Sequence, residues 1–320
     1  PVTGRLRAEA RRSMHALRHQ MAAQDYQETI NFSFVEERWE HELAGNADPI
    51  RVLNPIASPL AVMRSSLMGS LIAVLQGNLA RKASRVRVFE TGRVFRRDAS
   101  VADGNRSVAG VAQPRCVAGL AWGRVDALQW GSKERAADFF DVKGDIEALL
   151  APRQASFVPA EHSALHPGRC ARVELDGQAI GFVGELHPRW RQGYELPSAP
   201  MLFELDLDAV LARDVPAFAA LPRQQSVFRD IAVVAGEQVS HAALMEAIAA
   251  GQGGLVRSAR LFDIYKPATP AADMKPGERS LAVRLELLDN DNTLTDERID
   301  ATVAEVIARL GARLGARLRG

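Results

Sequence analysis

The sequence predicts an α+β protein in two parts: an antiparallel sheet with flanking helices, then a smaller β-α-β-β-α-β unit. Three observations carry this. Asp176-Gly177 separates two apolar-alternating stretches, 172–175 and 179–183, which is a strong two-residue hairpin signal. Short apolar runs recur at 86–95, 116–122 and 201–207. Repeated strands joined by tight hairpins favour an antiparallel sheet over a doubly wound parallel one. In the last quarter, strand patterns at 226–234, 260–266 and 280–284 are interleaved with helical patterns, the last beginning near Thr293-Leu-Thr-Asp-Glu297. That order is a split, ferredoxin-like unit, whose sheet can offer one open face to RNA.

Taken in order, Leu6, Ala10, Met14, Leu17 and Met21 recur at steps of three and four. They predict a helix with Thr3 as its N-cap and arginines opposite. Ile30, Phe32 and Phe34 alternate with polar residues and predict a half-buried strand. Asn54-Pro55 and Ser58-Pro59 mark a loop. Ser65 or Ser66 caps the next helix, with Leu67, Leu71, Val74 and Leu75 on its stripe. A strand runs from Val86 to Phe95 through Glu90-Thr-Gly-Arg93, and residues 98–107 are a polar loop. Residues 142–150 form a helix with Asp141 near its start.

Pro216 and Pro222 interrupt an aperiodic stretch. The expected organisation is therefore 1–214, a linker at 215–222, and 223–320. Near the end, Leu310, Leu314 and Leu318 step by four, yet Gly311 and Gly315 intervene. Each glycine weakens a helix by about 1 kcal/mol relative to Ala. The expected helix stops near Leu310, with a short strand at 316–319.

Composition narrows the class. The chain has 320 residues, 47% apolar and 25% charged, ordinary for a globular protein with two cores. The net charge of +1 does not announce a nucleic-acid binder. Arg5, Arg7, Arg11, Arg12 and Arg18 cluster near the start and Arg309, Arg313, Arg317 and Arg319 near the end, reading as solvated helix faces. Two cysteines, Cys116 and Cys170, make no disulfide scaffold and fit a reducing compartment. No apolar run approaches the ~20 residues of a membrane span.

Candidate chemistry in the larger part is thin. His162 and His166 are four apart beside Glu161, but Pro167-Gly168 follows and no third ligand is evident, so no metal site is expected. His187-Pro188 reads as a turn. Gly251-Gln-Gly-Gly254 follows a helix rather than a strand, the wrong context for a phosphate loop. No nucleophile sits on a strand–helix elbow.

Two regions are similar to a known family. The first holds Leu53-Asn-Pro55, Val62-Met-Arg-Ser-Ser-Leu-Met-Gly-Ser-Leu71, Asn78-Leu79 and Val86-Arg-Val-Phe-Glu-Thr-Gly-Arg-Val-Phe95. The second holds Ser226-Val-Phe-Arg-Asp-Ile-Ala-Val-Val234, Arg260-Leu-Phe-Asp-Ile-Tyr-Lys266 and Ser280-Leu-Ala-Val-Arg284. Across nearly the whole chain these resemble the β subunit of bacterial phenylalanyl-tRNA synthetase, in its C-terminal part. The resemblance implies a class II synthetase-like module followed by a ferredoxin-fold anticodon-binding domain. It implies a noncatalytic role, since the family's α subunit activates the amino acid. ATP and Mg2+ are then expected for the holoenzyme and no cofactor for this chain. Partners would be the α subunit, in an α2β2 assembly, and phenylalanine tRNA, in the cytoplasm.

The residues agree with a noncatalytic reading. The glycine-rich segment ending in Glu-Arg that supplies a class II cation is missing: Gly181-Phe-Val-Gly-Glu-Leu-His-Pro-Arg189 lacks the glycine spacing and the adjacent Arg. Glu90, Arg93 and Arg96 supply half of the other arginine motif. Class II cores pair through their first helix and its following strand, so the resemblance puts Leu6, Met14, Leu17 and Met21 partly against the α subunit. RNA contacts are expected from Phe228, Arg229, Tyr265, Lys266, Lys275 and Arg284, by stacking and by cationic side chains. Alternation puts Phe228 and Asp230 on one side of their strand and Arg229 with Val227, Ile231 and Val233 on the other, forcing Arg229 to a rim. A second reading is a free-standing synthetase-like module that binds RNA or protein in an assembly or regulatory role.

Overall fold

A computed structural model describes residues 9–215, 217–218, 221–251, 254–267 and 273–319. The chain divides into two compact units, Pro1–Pro216 and Ala217–Gly320.

In the first unit, helix α1 (Met14–Ala23) starts at Ser13, whose hydroxyl accepts from the Ala16 N–H. This is later than the expected start. Thr3 and Leu6 lie outside the described residues. Ala10 stands in a turn, Arg11 bridges to Ala212, and the Arg12 N–H donates to the Leu211 carbonyl at 2.7 Å. Extended pairing there takes the backbone groups that a longer helix would need.

Strand β1 (Gln27–Glu28) pairs in parallel with β4 (Arg85–Arg93). The strand expected over Ile30, Phe32 and Phe34 is cut to β2 (Phe34–Val35). Ile30 is 92% and Phe32 66% exposed. The alternation is real but its phase is opposite. Asn31 turns inward and its amide donates to the Glu90 carboxylate at 2.8 Å. A buried carboxylate needs donors more than the core needs one further apolar side chain.

Helix α2 (Glu37–Trp39) runs into a π-helical turn, Glu40–Ala44. Strand β3 (Val62–Met63) pairs with β2. Helix α3 (Met68–Ala80) has Leu67 at its N-cap position. The Ser66 hydroxyl still accepts from the Met68 N–H at 3.1 Å, whereas the Ser65 hydroxyl donates to Glu40. Strands β5 (Arg96–Arg97) and β6 (Val111–Ala112) make a small pair, followed by β7 (Arg115–Gly123). Helix α4 (Phe139–Leu150) opens with a capping box between Asp138 and Asp141.

Strands β8 (Ala155–Pro159), β9 (Leu165–Leu175) and β10 (Gln178–Leu186) form a meander. Asp176 (φ 51°) and Gly177 (φ 76°) make the tight turn, as the hairpin signal predicted. Helix α5 (Pro188–Gly193) begins where a simple turn was expected: His187 caps it and proline takes the first helical position. Strand β11 (Met201–Asp206) and helix α6 (Leu207–Leu211) complete the unit.

The sheet order is β1-β4-β7-β11-β10-β9-β8, antiparallel except for β1–β4. One core packs Leu17, Met21, Phe89, Ile146 and Phe203 together. The other packs Leu67, Leu71, Val88, Leu120 and Leu202. Phe89 and Val88 are sequence neighbours on opposite sides, as strand geometry requires.

The second unit runs β12 (Val227–Gly236), α7 (His241–Ala249), β13 (Val256–Tyr265), β14 (Glu278–Leu287), α8 (Asp296–Leu314) and β15 (Arg317–Leu318). Its sheet order, β13-β14-β12-β15, is antiparallel throughout. Ser240 and Thr295 cap the helices. Ile231, Val233, Leu244, Val283, Leu285, Val306 and Leu310 form the core. Helix α8 continues four residues past the expected end and stops at Gly315 (φ 64°). Leu314 packs against the core, and that burial outweighs the roughly 1 kcal/mol cost of Gly311. Gln252 and Gly253 of the glycine-rich stretch lie outside the described residues; Ala250 ends α7 just before it. Among the described residues, no helix is long and apolar enough to cross a membrane.

Candidate nucleic-acid interface

The helices of the second unit cover Val227, Ile231 and Val233, together with Val283 and Leu285. The opposite sheet face is exposed around Phe228, Asp230 and Arg284, whereas Val234 and Ser280 farther along the same side are buried. Register sets Phe228 beside Glu286, Asp230 beside Arg284 and Ala232 beside Ala282. On the other side of β14, Arg260 stands beside Arg284. A bulge between Leu261 and Asp263 leaves Phe262 as the extra residue of β13. The Arg284 guanidinium lies over the Phe262 ring, 5.6 Å from its centre. Phe228, Phe262 and Tyr265 are all exposed. Arg319 lies over the Tyr265 ring at 4.9 Å. Exposed rings interleaved with arginines are what unstacked bases and phosphates require.

The predicted contact residues divide. Phe228, Tyr265 and Arg284 share the open face. The Lys266 ammonium is 2.6 Å from Glu237. The Lys275 side chain is exposed, and its backbone N–H donates to Glu278 at 2.7 Å. Arg229 is not with them. It sits on the helix side, its guanidinium 3.8 Å from Asp296 in the first turn of α8. Sequence reasoning passed over Arg260, Phe262 and Arg319. Arg260 was legible as the polar residue between Ala259 and Leu261. The bulge hid Phe262, and Arg319 belongs to a chain end that pattern alone leaves ambiguous.

The open face is electrostatically organised. The Asp230 carboxylate accepts from Arg284 Nε at 2.8 Å and Nη2 at 2.7 Å. The Arg284 fork holds the Asp230 carboxyl below the usual carboxylate range. Arg317 grips Glu278 in the same two-donor manner and lowers that carboxyl to about 2.

The larger sheet carries a second polar cluster, internally satisfied. Glu90 is bonded to Arg64 at 2.7 Å and to Asn31. Glu40 accepts from the Ser65 N–H at 2.9 Å and the Asn46 amide at 2.8 Å. Glu204 accepts from the Leu67 N–H at 2.6 Å and the Ser66 hydroxyl at 3.0 Å. Burial pushes the Glu204 carboxyl up, against those donors. Arg93 turns to the Gln113 carbonyl and Arg96 to the Ser65 carbonyl. A methyl group on Gly92 would sit 2.3 Å from Arg64 Nη2, and one on Gly119 2.3 Å from the Phe203 ring. Side chains therefore fill the sheet surface closely at both glycines.

The remaining candidates are structural. Burial pushes Cys116 up to about 12 and Cys170 to about 11, which makes both poor nucleophiles. His162 precedes β9 and His166 lies within it; each Nδ1 accepts a nearby backbone N–H. Among the described residues no group of three or more His, Cys, Asp or Glu converges on a metal position. Leu17 and Met21 are buried in their own core and Met14 packs against it. The surface that α1 leaves outward belongs instead to His15, Ala16, Arg18, His19, Ala22 and Ala23.

Comparison with known proteins settles the family. A family model described as "Phenylalanyl tRNA synthetase beta chain CLM domain" matches residues 1–207. The chain belongs to the phenylalanyl-tRNA synthetase β-chain family. A second, described as "Ferredoxin-fold anticodon binding domain", matches residues 222–319. Similar family members include the phenylalanine–tRNA ligase β subunits of Ralstonia nicotianae and Cupriavidus pinatubonensis. The first is 54% identical over 304 residues, covering 93% of this chain and 38% of that protein. The second is 51% identical over 317 residues, covering 98% and 39%. The β subunit of Bordetella bronchiseptica is 48% identical over 305 residues, covering 93% and 38%. This β-chain family member thus spans well under half the length of the relatives it matches.

Proposed function

We propose that this chain works as a noncatalytic part of the β subunit of phenylalanine–tRNA ligase. Its second unit would hold the anticodon region of phenylalanine tRNA, and its first would support the catalytic α subunit. The observation that carries the RNA reading is the open sheet face, where Phe228, Phe262, Tyr265, Arg260 and Arg284 stand together. Lys266 and Lys275 would add charge at its edge. Arg229 would contribute to docking α8, not to RNA.

The noncatalytic reading rests on the filled core. Adenylation needs uncommitted cations facing developing phosphate charge. Arg64 is closed on Glu90, and Glu40 and Glu204 already accept from the chain's own donors. These carboxylates do not fit a magnesium–ATP site. ATP and Mg2+ would serve the holoenzyme through the α subunit. The outward side of α1 is the surface we assign to α, in an α2β2 cytoplasmic assembly.

Pyrophosphate exchange dependent on phenylalanine tests the division of labour. It is expected only with α present; exchange by the β subunit alone would overturn the proposal. Crosslinking of phenylalanine tRNA to the intact complex should map peptides to residues 223–320. Crosslinks confined elsewhere would remove the RNA role from this unit. Recovery from native cells of a chain of this size, free of α, would favour the free-standing module instead.

A further inference from the structure

Asp230 stands beside Arg284 on the exposed part of this face, where an acid is out of place. Bound RNA brings phosphates, and a carboxylate there repels them. Its ion pair with Arg284 is solvent-exposed, with side chains 44% and 55% accessible, so it adds little to folding stability. Neither role accounts for it.

The geometry of the pair supplies a third. Two parallel bonds, from Nε and Nη2 to the two carboxylate oxygens, fix the plane of the guanidinium as well as its place. With its fork closed on a carboxylate, Arg284 is a poor phosphate ligand: its charge is neutralised and its best donors are occupied. What remains available is its flat surface. One side lies over Phe262. Phe228 is its diagonal neighbour across the β12–β14 register, and Arg260 is directly opposite on β13. A planar guanidinium between exposed rings stacks well on a nucleobase.

We propose that Asp230 is a positioning residue that holds the Arg284 guanidinium flat as a stacking platform for an unpaired base of bound RNA. Phosphate contact on this face then falls to Arg260. The inference rests on the reading of the second unit as an RNA-binding surface, and it makes a claim of opposite sign to simple electrostatics. Removing an acid from an RNA-binding face should tighten binding. Removing this one should weaken it.

The test uses the full-length β subunit in complex with α, and a phenylalanine tRNA transcript titrated across a series of salt concentrations. Thermal unfolding of each complex reports folding. Asp230→Asn is expected to weaken binding by about threefold to tenfold, and any rise in the salt slope would report the freed Arg284 charge. Arg284→Lys, which keeps the charge but not the plane, is expected to weaken it comparably. Binding by Asp230→Asn as tight as the parent, or tighter, overturns the proposal, as does full affinity in Arg284→Lys. Phe228→Ala and Arg260→Ala separate the two levels. If they weaken binding while Asp230→Asn does not, the positioning role alone is wrong. If neither weakens binding, the RNA-binding reading of the face falls as well.

Discussion

The guanidinium of Arg64 lies 2.7 Å from the carboxylate of Glu90, and each side chain is 3% exposed. Two charges so removed from water stabilise the fold only as a pair. Arg64→Met leaves Glu90 with Asn31 as its remaining side-chain donor. The expected cost is about 3–5 kcal/mol, read as earlier unfolding in urea. Adding Glu90→Gln to that variant should recover a substantial part. A double variant no more stable than Arg64→Met would show that the loss comes from packing, not from an orphaned charge.

Gly119 and Phe203 are register partners on β7 and β11, and the ring occupies the space a side chain at 119 would need. Gly119→Ala should cost about 1–3 kcal/mol through overpacking. Phe203→Leu in the same chain should relieve part of that cost, so a double-mutant cycle is expected to show strong coupling. Additive losses would mean that the ring moves aside freely.

Stability should fall in mild acid through His162. Its ring lies 4.9 Å from that of Phe182. Burial, aided by Arg96, pulls its pKa from 6.5 down to about 4. The unfolded chain takes up the proton first. The stability from neutral His162 is therefore complete above pH 6.5 and is lost as pH falls toward 4, by at most about 3 kcal/mol. His162→Asn keeps an acceptor near the Ala164 N–H that Nδ1 now binds. The difference in stability between variant and parent, followed from pH 7 to pH 4, should shift in favour of the variant; a constant difference would exclude this histidine as the source.

Arg229 and Arg260 offer a contrast between the two faces of one sheet. Arg260→Ala should weaken tRNA binding and reduce the magnitude of the salt slope by about one. Arg229→Ala should leave affinity and slope unchanged, because its guanidinium turns to α8. Equal effects from the two would mean that RNA wraps the edge of the sheet rather than lying on its open side.

Much of this was legible in the chain. Alternation placed Arg229 away from Phe228, the Asp176-Gly177 turn fixed a hairpin, and residue pattern gave the first three strands and both helices of the second unit, its last strand being expected only because a ferredoxin-like unit requires one. Partner-dependent features were not legible. Ile30 and Phe32 read as core until Glu90 is seen to draw Asn31 inward. The start of α1 depended on a bridge between Arg11 and Ala212, two hundred residues apart in sequence. Alternation could not place Phe262, because a bulge breaks period two without leaving a compositional mark.

The strand order β13-β14-β12-β15 has a consequence for biosynthesis. β12 leaves the ribosome first but sits between two strands made later: Val227 aligns with Leu287 and Val233 with Leu318. Until β14 has been translated, both edges of β12 lack partners, and Val233 and Val234 have no mate. Such non-local pairing is slow to form, and exposed apolar edges invite association between nascent chains. Closure of this domain must therefore await nearly its whole length, and its most vulnerable interval is the pause between its first strand and its third.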